Sequence, residues 1–478
     1  MVIRTKIIAT LGPACGDDGT LARMVEAGCD CARINLSHGT DEQHTALHRA
    51  VRRVEQRRDT PLAVLADLCG PKIRVGPIAG GSVLLADGQE IALSRQPVLG
   101  QADRISTTLA ELVDAATPGE PVLLDDGQIR LRVERRDDDS LRCRVERGGI
   151  IAAGKGVNLP ETRLELSALT EKDRRDVDWI AARGVRDDGG IDYVGLSFVR
   201  RADDVKLLRA LLDDRGSDAQ IVAKIEKPEA LDNIDAIIDA ADAVMVARGD
   251  LGVEMDLPGV PVAQKRIARK CLAAGTPCII ATQMLETMTH AASPTRAEVS
   301  DVANAVLDHA DAVMLSGETA VGDDPPRAVG VMNDVVAATQ TYHDETYRAE
   351  PGGRGASAAG ALADAVERVL HQADVAAVAV YTISGRTARL FAKRRLPRPI
   401  LGLSPHRATL RRMALDYGVE PAEAPVVEHT REALALAGRL AVRYGLAKPG
   451  QTIAVVTGRP ITESGTANTL VLHTVESP

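Results

Sequence analysis

The sequence predicts an α/β protein in three parts: a (β/α)8 barrel, a small β-barrel-like domain inserted into it, and a C-terminal doubly wound α/β domain. Three observations carry that reading. Eight short apolar runs rich in Val and Ile are each followed by a helical pattern, which is how a parallel sheet covered by helices reads. Successive runs lie roughly 25–35 residues apart, except that about 130 separate the third from the fourth, where a βα unit needs only about 30. Beyond residue 345 a break rich in Gly and Ala, opened by a proline, precedes a second series of alternating strands and helices.

The eight runs are Ile3–Thr10, Cys31–Ser37, Leu62–Leu68, Tyr193–Val199, Ile221–Glu226, Ala243–Val246, Cys278–Thr282 and Ala312–Leu315. Helix signals sit between them. Asp18 or Thr20 caps a helix carrying Leu21, Met24 and Val25 that stops at Gly28, and Thr40 with Gln43 has capping-box spacing ahead of Leu47, Val51 and Val54. Ser293-Pro294 places an N-cap and a first-turn proline before Val299, Val302 and Val306. The barrel is thus expected over 1–72 and 169–345. The insert, 73–168, shows short alternating runs (Ser82–Leu85, Ile129–Val133, Leu141–Val145) and turns at Asp87-Gly88, Asp126-Gly127 and Gly148-Gly149. Pro351–Gly360 reads as a linker within the last unit, 346–478, whose strands Val375–Thr382, Ile400–Leu403 and Ile453–Thr457 alternate with helical stretches including Arg386–Arg395 and Arg431–Tyr444. No internal repeat or low-complexity tract stands out.

Composition excludes several function classes. A chain of 478 residues exceeds the roughly 250–300 that one core supports, and 45% apolar with 26% charged residues is ordinary globular composition. No apolar run approaches the roughly 18–20 residues of a membrane span, and Met1 leads into a strand pattern without a signal peptide, so the cytoplasm is the expected location. Seven cysteines, none in CxxC spacing, fit reduced packing side chains better than a disulfide framework or a zinc site. The formal net charge of −9 speaks against bulk nucleic-acid binding, and Arg52, Arg53, Arg57 and Arg58 recur with a helical period, as on a solvated face.

Barrel chemistry collects at the C-terminal ends of the strands. Here the second run ends Arg33-Ile34-Asn35-Leu36-Ser37-His38, the third in Asp67, the fifth in Lys224-Ile225-Glu226 and the sixth in Arg248-Gly249-Asp250. The seventh ends Thr282-Gln283 and the eighth Ser316-Gly317-Glu318-Thr319. Any one of these could be structural, but six strands ending in charged or hydroxyl groups at one rim point to a site, because buried charge is costly unless paired or bound to an ion. Glu226 and Asp250 offer two hard oxygen ligands suited to Mg²⁺ or Mn²⁺. Lys224, Arg33 and Arg74 would surround the same point with positive charge, as the stabilisation of a transferring phosphoryl group requires. No Walker-type glycine-rich loop is present.

Long motifs run through the whole chain: Thr5–Pro13, Arg33–Gly39, Gly70–Arg74, Gly154–Pro160, Ala223–Ala230, Ala247–Val253, Ala281–Met288, Pro294–Ala305 and Val313–Gly322. With them the sequence resembles the pyruvate kinases, TIM-barrel enzymes of glycolysis. The resemblance implies transfer of phosphate from phosphoenolpyruvate to ADP. It implies Glu226 and Asp250 as ligands of Mg²⁺ or Mn²⁺, Lys224 as the stabiliser of the phosphoryl group, and Arg33 as a phosphate contact. Backbone N–H groups at Gly249 and Asp250 would bind the substrate carboxylate. Thr282 belongs to substrate binding and to the proton route to the enolate carbon, with Ser316 assisting. Asn35, His38, Arg74 and Lys155 would contact the nucleotide, under an insert that closes as a lid.

Many family members carry Thr, Lys and Glu where this chain has Leu68, Cys69 and Lys72, and those members need K⁺. Asn35, Ser37 and Asp67 match the monovalent-ion ligands, and the Lys72 ammonium would stand in for the ion, so K⁺ is expected not to be required. The resemblance also implies a phosphorylated small-molecule effector at Thr382, Ser384, Gly385, Arg386 and Thr387, helped by the turn Glu463–Asn468, and a homotetramer. Two other readings stay open from the residues: a related barrel performing aldol or mutase chemistry, which would not need Lys155, Arg74 or the insert, and a catalytically silent effector sensor, which would not need Lys224, Glu226, Asp250 and Thr282 together.

Overall fold

A computed structural model of the chain describes residues 3–58, 60–162, 164, 167–184, 189–346, 358–458 and 467–476. Eight parallel strands close into a barrel: β1 (Lys6–Leu11), β2 (Cys31–Asn35), β3 (Ala63–Asp67), β4 (Tyr193–Leu196), β5 (Gln220–Ile225), β6 (Ala243–Ala247), β7 (Cys278–Ala281) and β8 (Ala312–Leu315). They are the eight apolar runs with their ends adjusted: polar rim residues such as Ser37, Glu226 and Thr282 leave the ladder, while Leu11, Gln220 and Ala247 join it. Alternate residues face opposite sides of the barrel wall. Ile8, Leu65, Tyr193, Val222, Met245, Ile279 and Met314 fill the interior, whereas Ile7, Val64, Val194, Ile221, Val244, Ile280 and Val313 pack on the surrounding helices.

Two helix starts differ from the sequence reading. Asp17, not Asp18 or Thr20, caps the helix Asp18–Glu26, because its carboxylate accepts the N–H groups of Gly19 and Thr20. Thr295, not Ser293, caps Arg296–Leu307, because Glu298 completes a reciprocal capping box with it. The Thr40–Gln43 box forms as expected.

The N-terminal end of the barrel carries a fourfold pattern that the sequence reading missed. An aspartate immediately precedes each even-numbered strand: Asp30, Asp192, Asp242 and Asp311. Each accepts the N–H of a residue in the preceding odd-numbered strand: Ile7 at 2.8 Å, Val64 at 2.9 Å, Ile221 at 2.8 Å and Cys278 at 2.8 Å. Each also pairs with a cation, Lys6, Arg52, Arg209 or, for Asp311, Lys393 and Arg395. The repeat escapes inspection because only one residue recurs in each quarter.

Two sheets form the insert between β3 and β4, one of six strands and one of two. The chain leaves through Ile73–Val75 and returns through Lys155–Val157, and these segments are stitched together by Val157 N–H to Ile73 O (2.9 Å) and Val75 N–H to Lys155 O (2.8 Å). This narrow two-strand neck is the connection to the barrel.

The last unit is a five-stranded sheet, β9 (Val375–Tyr381), β10 (Ile400–Ser404), β11 (Val419–Glu423), β12 (Thr452–Gly458) and β13 (Ala467–Thr474), in the order β11-β10-β9-β12-β13. All neighbours are parallel except β12 and β13. The edge strands β11 and β13 are additional to the sequence reading: Glu-Pro-Ala-Glu in β11 reads as a turn, and β13 alternates weakly. The predicted linker Pro351–Gly360 falls mostly outside the described residues. Ala414 and Leu415 from this unit enter the barrel's interior core, and the Tyr193 hydroxyl donates to Arg412 O at 2.7 Å. The sheet unit therefore plugs the N-terminal end of the barrel.

Asp311 joins the two units, 2.6 Å from Lys393 and 3.3 Å from Arg395. Burial alone would raise its carboxyl pKa, but Arg395 and Lys393 outweigh burial and hold it below the ordinary range. Burial depresses Lys393 itself, yet an arginine stays protonated, so the carboxylate always faces a cation. Asp311→Asn is expected to cost about 3–5 kcal/mol in urea unfolding, because it strands two buried cations. The exposed Asp203→Asn should stay within about 0.5 kcal/mol. The stability from Asp311 ionisation should be fully present above about pH 4 and vanish as pH falls through the lowered folded value.

Candidate active site

At the opposite end, the ends of five strands are linked by a chain of charged and hydroxyl groups. Lys224 and Glu226, two positions apart where β5 ends, project the same way. The Lys224 Nζ lies 2.9 Å from Glu226 Oε1 and 3.2 Å from Asp67 Oδ1, and donates to Ser197 Oγ at 2.7 Å. Glu226 Oε2 accepts the Phe198 N–H at 2.8 Å. Asp67 Oδ2 accepts from Arg33 Nε and Nη2 at 2.8 and 2.6 Å, and Arg33 Nη1 donates to Thr10 Oγ1 at 2.9 Å. Two cations and two anions thus neutralise one another in a buried row.

Burial and charge set the ionisation of this row. Burial pulls Lys224 down, but Asp67 and Glu226 overcome it and push the ammonium above its ordinary range. Burial pushes Glu226 up, Lys224 opposes that, and Asp250 adds to it through like-charge repulsion. Asp67 is raised by burial yet held low by Lys224 and Arg33. Glu226 and Asp250 therefore share one electrostatic neighbourhood, and a cation between them would relieve both the desolvation and the repulsion. Among the described residues no three His, Cys, Asp or Glu side chains gather as a metal cage. A pair of carboxylates with room for substrate oxygens and water suits Mg²⁺ or Mn²⁺.

The other half of the rim is held by backbone in uncommon conformations. Thr282, Gln283 and Phe198 have φ of 69°, 55° and 55° without being glycine, each costing about 1–3 kcal/mol. Arg248 offsets part of this by donating to Thr282 O and to Asp301, both at 2.7 Å. The Thr282 hydroxyl accepts the Gly249 N–H at 2.7 Å and donates to Ala281 O at 2.6 Å. A Cβ on Gly249 would lie 3.3 Å from Thr282 Oγ1, so this close approach favours glycine. Asp250 sits in the short helix Arg248–Glu254, with Lys72 Nζ 3.7 Å from its carboxylate. Ser316 donates its N–H to Glu318 at 2.7 Å, while its buried hydroxyl has no hydrogen-bond partner among the described residues.

The remaining expected residues are placed differently. Asn35 pairs in register with Asp67 across β2 and β3, and its Oδ1 accepts the Ser37 N–H at 3.1 Å. His38 is pushed down by partial burial and by the nearby positive charges of Arg74, Lys72 and Arg33. Arg74 is tied to Gly154 O at 2.9 Å, and Lys155 to Asp125 at 2.9 Å on the insert rather than to the rim cluster. At the far end of the chain, Thr382, Ser384, Arg386 and Thr387 line a cavity of about 390 Å³, and Gly385 turns at φ 81° with its N–H bonded to Thr382 Oγ1. Most of the turn Glu463–Asn468 lies outside the described residues. Sequence reasoning missed Thr10 and Ser197, which complete the polar rim on β1 and after β4. Their signal was a hydroxyl near the end of an apolar run.

Comparison with known proteins matches this architecture throughout. The family described as "Pyruvate kinase, barrel domain" matches residues 2–329, and "Pyruvate kinase, alpha/beta domain" matches residues 360–473. A pyruvate kinase of Geobacillus stearothermophilus is 41% identical, covering 99% of this chain and 80% of that protein. One of Agrobacterium vitis is 42% identical, covering 98% and 96%. The crystal structure of a pyruvate kinase from Cryptosporidium parvum superposes with a TM-score of 0.91 at 32% identity, covering 99% of this chain and 96% of that one.

Among the described residues the buried Ser316 hydroxyl has no hydrogen-bond partner, so its removal relieves a desolvation cost. Thermal unfolding of ligand-free Ser316→Ala should show stability equal to the parent or higher by about 1 kcal/mol. A loss of that size would mean that the hydroxyl has a structural partner.

Proposed function

The chain belongs to the pyruvate kinase family and transfers the phosphoryl group of phosphoenolpyruvate to ADP, giving pyruvate and ATP; from that premise we propose which of its residues do so. The observation that carries the assignment is the row Arg33–Asp67–Lys224–Glu226 with Asp250 beside it. Members of the family use a divalent metal. Glu226 and Asp250 would hold it, as Mg²⁺ or Mn²⁺, and when bound it supplies Lewis-acid stabilisation of phosphate and enolate oxygens.

The residues around it do the rest. Lys224, fixed as an ammonium by its two carboxylates, donates to the phosphoryl oxygens in flight, and Arg33 orients the phosphate with its planar fork. Gly249 N–H, engaged here by Thr282, and Asp250 N–H bind the substrate carboxylate. Thr282 is too weak an acid to be the final proton donor to the enolate carbon, so it passes the proton through water, with the unpartnered Ser316 hydroxyl as a further member of the relay. Asn35, His38, Arg74 and Lys155 hold the nucleotide, and the insert closes as a lid on its two-strand neck and excludes water. Lys155 would exchange Asp125 for nucleotide phosphate on closure.

Lys72 takes the place of a monovalent ion. Its ammonium stands 3.7 Å from the Asp250 carboxylate and adds a fixed positive charge felt at His38, in place of an ion that Asn35, Ser37 and Asp67 would otherwise help to hold. We further propose a phosphorylated effector in the cavity at Thr382, Ser384, Gly385, Arg386 and Thr387, allosteric control, a homotetramer and a cytoplasmic location. Among the described residues no helix is long and apolar enough to cross a membrane. Working boundaries are 1–72 with 169–345 for the barrel, 73–168 for the lid and 346–478 for the C-terminal unit.

Two assays test these assignments. With Mg²⁺, phosphoenolpyruvate and ADP, ATP should form, and Glu226→Gln or Lys224→Met should each lower kcat by about 10²–10³-fold. Retention of parental kcat in either variant would remove that residue from the chemistry. In Na⁺ or Tris buffer, adding K⁺ should change the parental rate less than about twofold, whereas Lys72→Glu should become K⁺-dependent. Many-fold activation of the parent by K⁺ would contradict the role of Lys72.

A further inference from the structure

Glu254 lies outside the row of reacting groups, yet it is buried to 2% exposure at the end of the same short helix that carries Asp250. Its Oε1 is the meeting point of three parts of the molecule. Lys227 Nζ, from the residue immediately after Glu226, lies 2.6 Å away. Asn158 Nδ2, on the strand by which the insert returns to the barrel, donates to the same oxygen at 2.8 Å. The insert also comes close to this helix at Gly127, where an added Cβ would lie 3.8 Å from Val253. Asp250 and Glu254 are four residues apart and so lie one above the other on one face of the helix.

We propose that Glu254 is a positioning residue that sets the spacing of Glu226 and Asp250 and seats the lid on the same carboxylate. The pair Lys227–Glu254 joins the residue following one divalent ligand to the helix bearing the other. A shift of Lys227 relative to the helix therefore changes the gap that the ion must fill. Asn158 carries lid position into the same junction. Glu254 is nearly dry while Lys227 is partly exposed, so solvent screens the pair only in part, and the second Glu254 oxygen, which has no hydrogen-bond partner among the described residues, does not compensate for loss of the first. The inference rests on Glu226 and Asp250 being the divalent ligands.

The test reads Mn²⁺ binding to the substrate-free full-length enzyme by electron paramagnetic resonance, beside thermal unfolding and steady-state kinetics. Outer-shell partners of metal ligands are typically worth about 10–100-fold in affinity. Glu254→Gln should weaken Mn²⁺ binding about tenfold, at the low end of that range. Asn158→Ala keeps the Lys227–Glu254 pair, so it should leave Mn²⁺ affinity within about twofold and raise KM for ADP. A merely structural role would lower the unfolding temperature of Glu254→Gln and leave its Mn²⁺ affinity unchanged, which would overturn the proposal. Should Glu254→Gln fail to fold, Lys227→Met decides on the same tenfold criterion. Glu226→Gln is the control: if it binds Mn²⁺ as the parent does, the divalent-site reading itself fails, whatever Glu254→Gln shows.

Discussion

The placement of Lys224 between two buried carboxylates is the constraint on which the catalytic end of this molecule depends. An ammonium in a dry barrel mouth would normally lose its proton, and a carboxylate there would normally gain one. Asp67 and Glu226 prevent the first, and Lys224 with Arg33 restrains the second. The row is electrically balanced within the protein, so under the proposed assignment a cation arriving with a phosphorylated substrate would meet charges already desolvated and already oriented. Preorganisation of this kind lets electrostatic stabilisation act without reorganisation at the moment of transfer.

The two ends of the barrel apply the same chemistry to different purposes. At the N-terminal end, four aspartates each accept a strand N–H and pair with a cation, so each carboxylate is neutralised within the protein. That end stabilises the barrel and docks the C-terminal sheet. At the C-terminal end the accounts are left open: Ser316 has an unpartnered hydroxyl, Glu226 is raised, and Thr282, Gln283 and Phe198 hold left-handed backbone. Open valences and strain are tolerable where a ligand completes them, and the closed end supplies the stability that makes them tolerable.

How much of this was readable in the sequence followed from physical scale. The barrel strands were legible because a strand buried on both faces must be an unbroken apolar run, and the rim charges were legible because they interrupt the ends of those runs. The edge strands β11 and β13 were not, since an edge needs less apolar pattern and tolerates the Pro421 that reads as a turn. Asp17 and Thr295 lie one to three residues from the expected caps, because which hydroxyl or carboxylate captures the first N–H groups depends on backbone direction before the helix. The fourfold aspartate pattern and the Glu254 junction were invisible for a different reason. Both are made by residues from separate βα units, and no local window contains them.

A crystal of the enzyme soaked with Mn²⁺ and a non-reacting analogue of phosphoenolpyruvate would show most directly whether the rim works as described. Anomalous scattering should place the ion between the carboxylates of Glu226 and Asp250, with Lys224 Nζ turned to the phosphoryl mimic and Arg33 still bound to Asp67. An ion elsewhere, or a Lys224 that faces away from the mimic, would show that the buried row is structural and that phosphoryl transfer is organised by other groups.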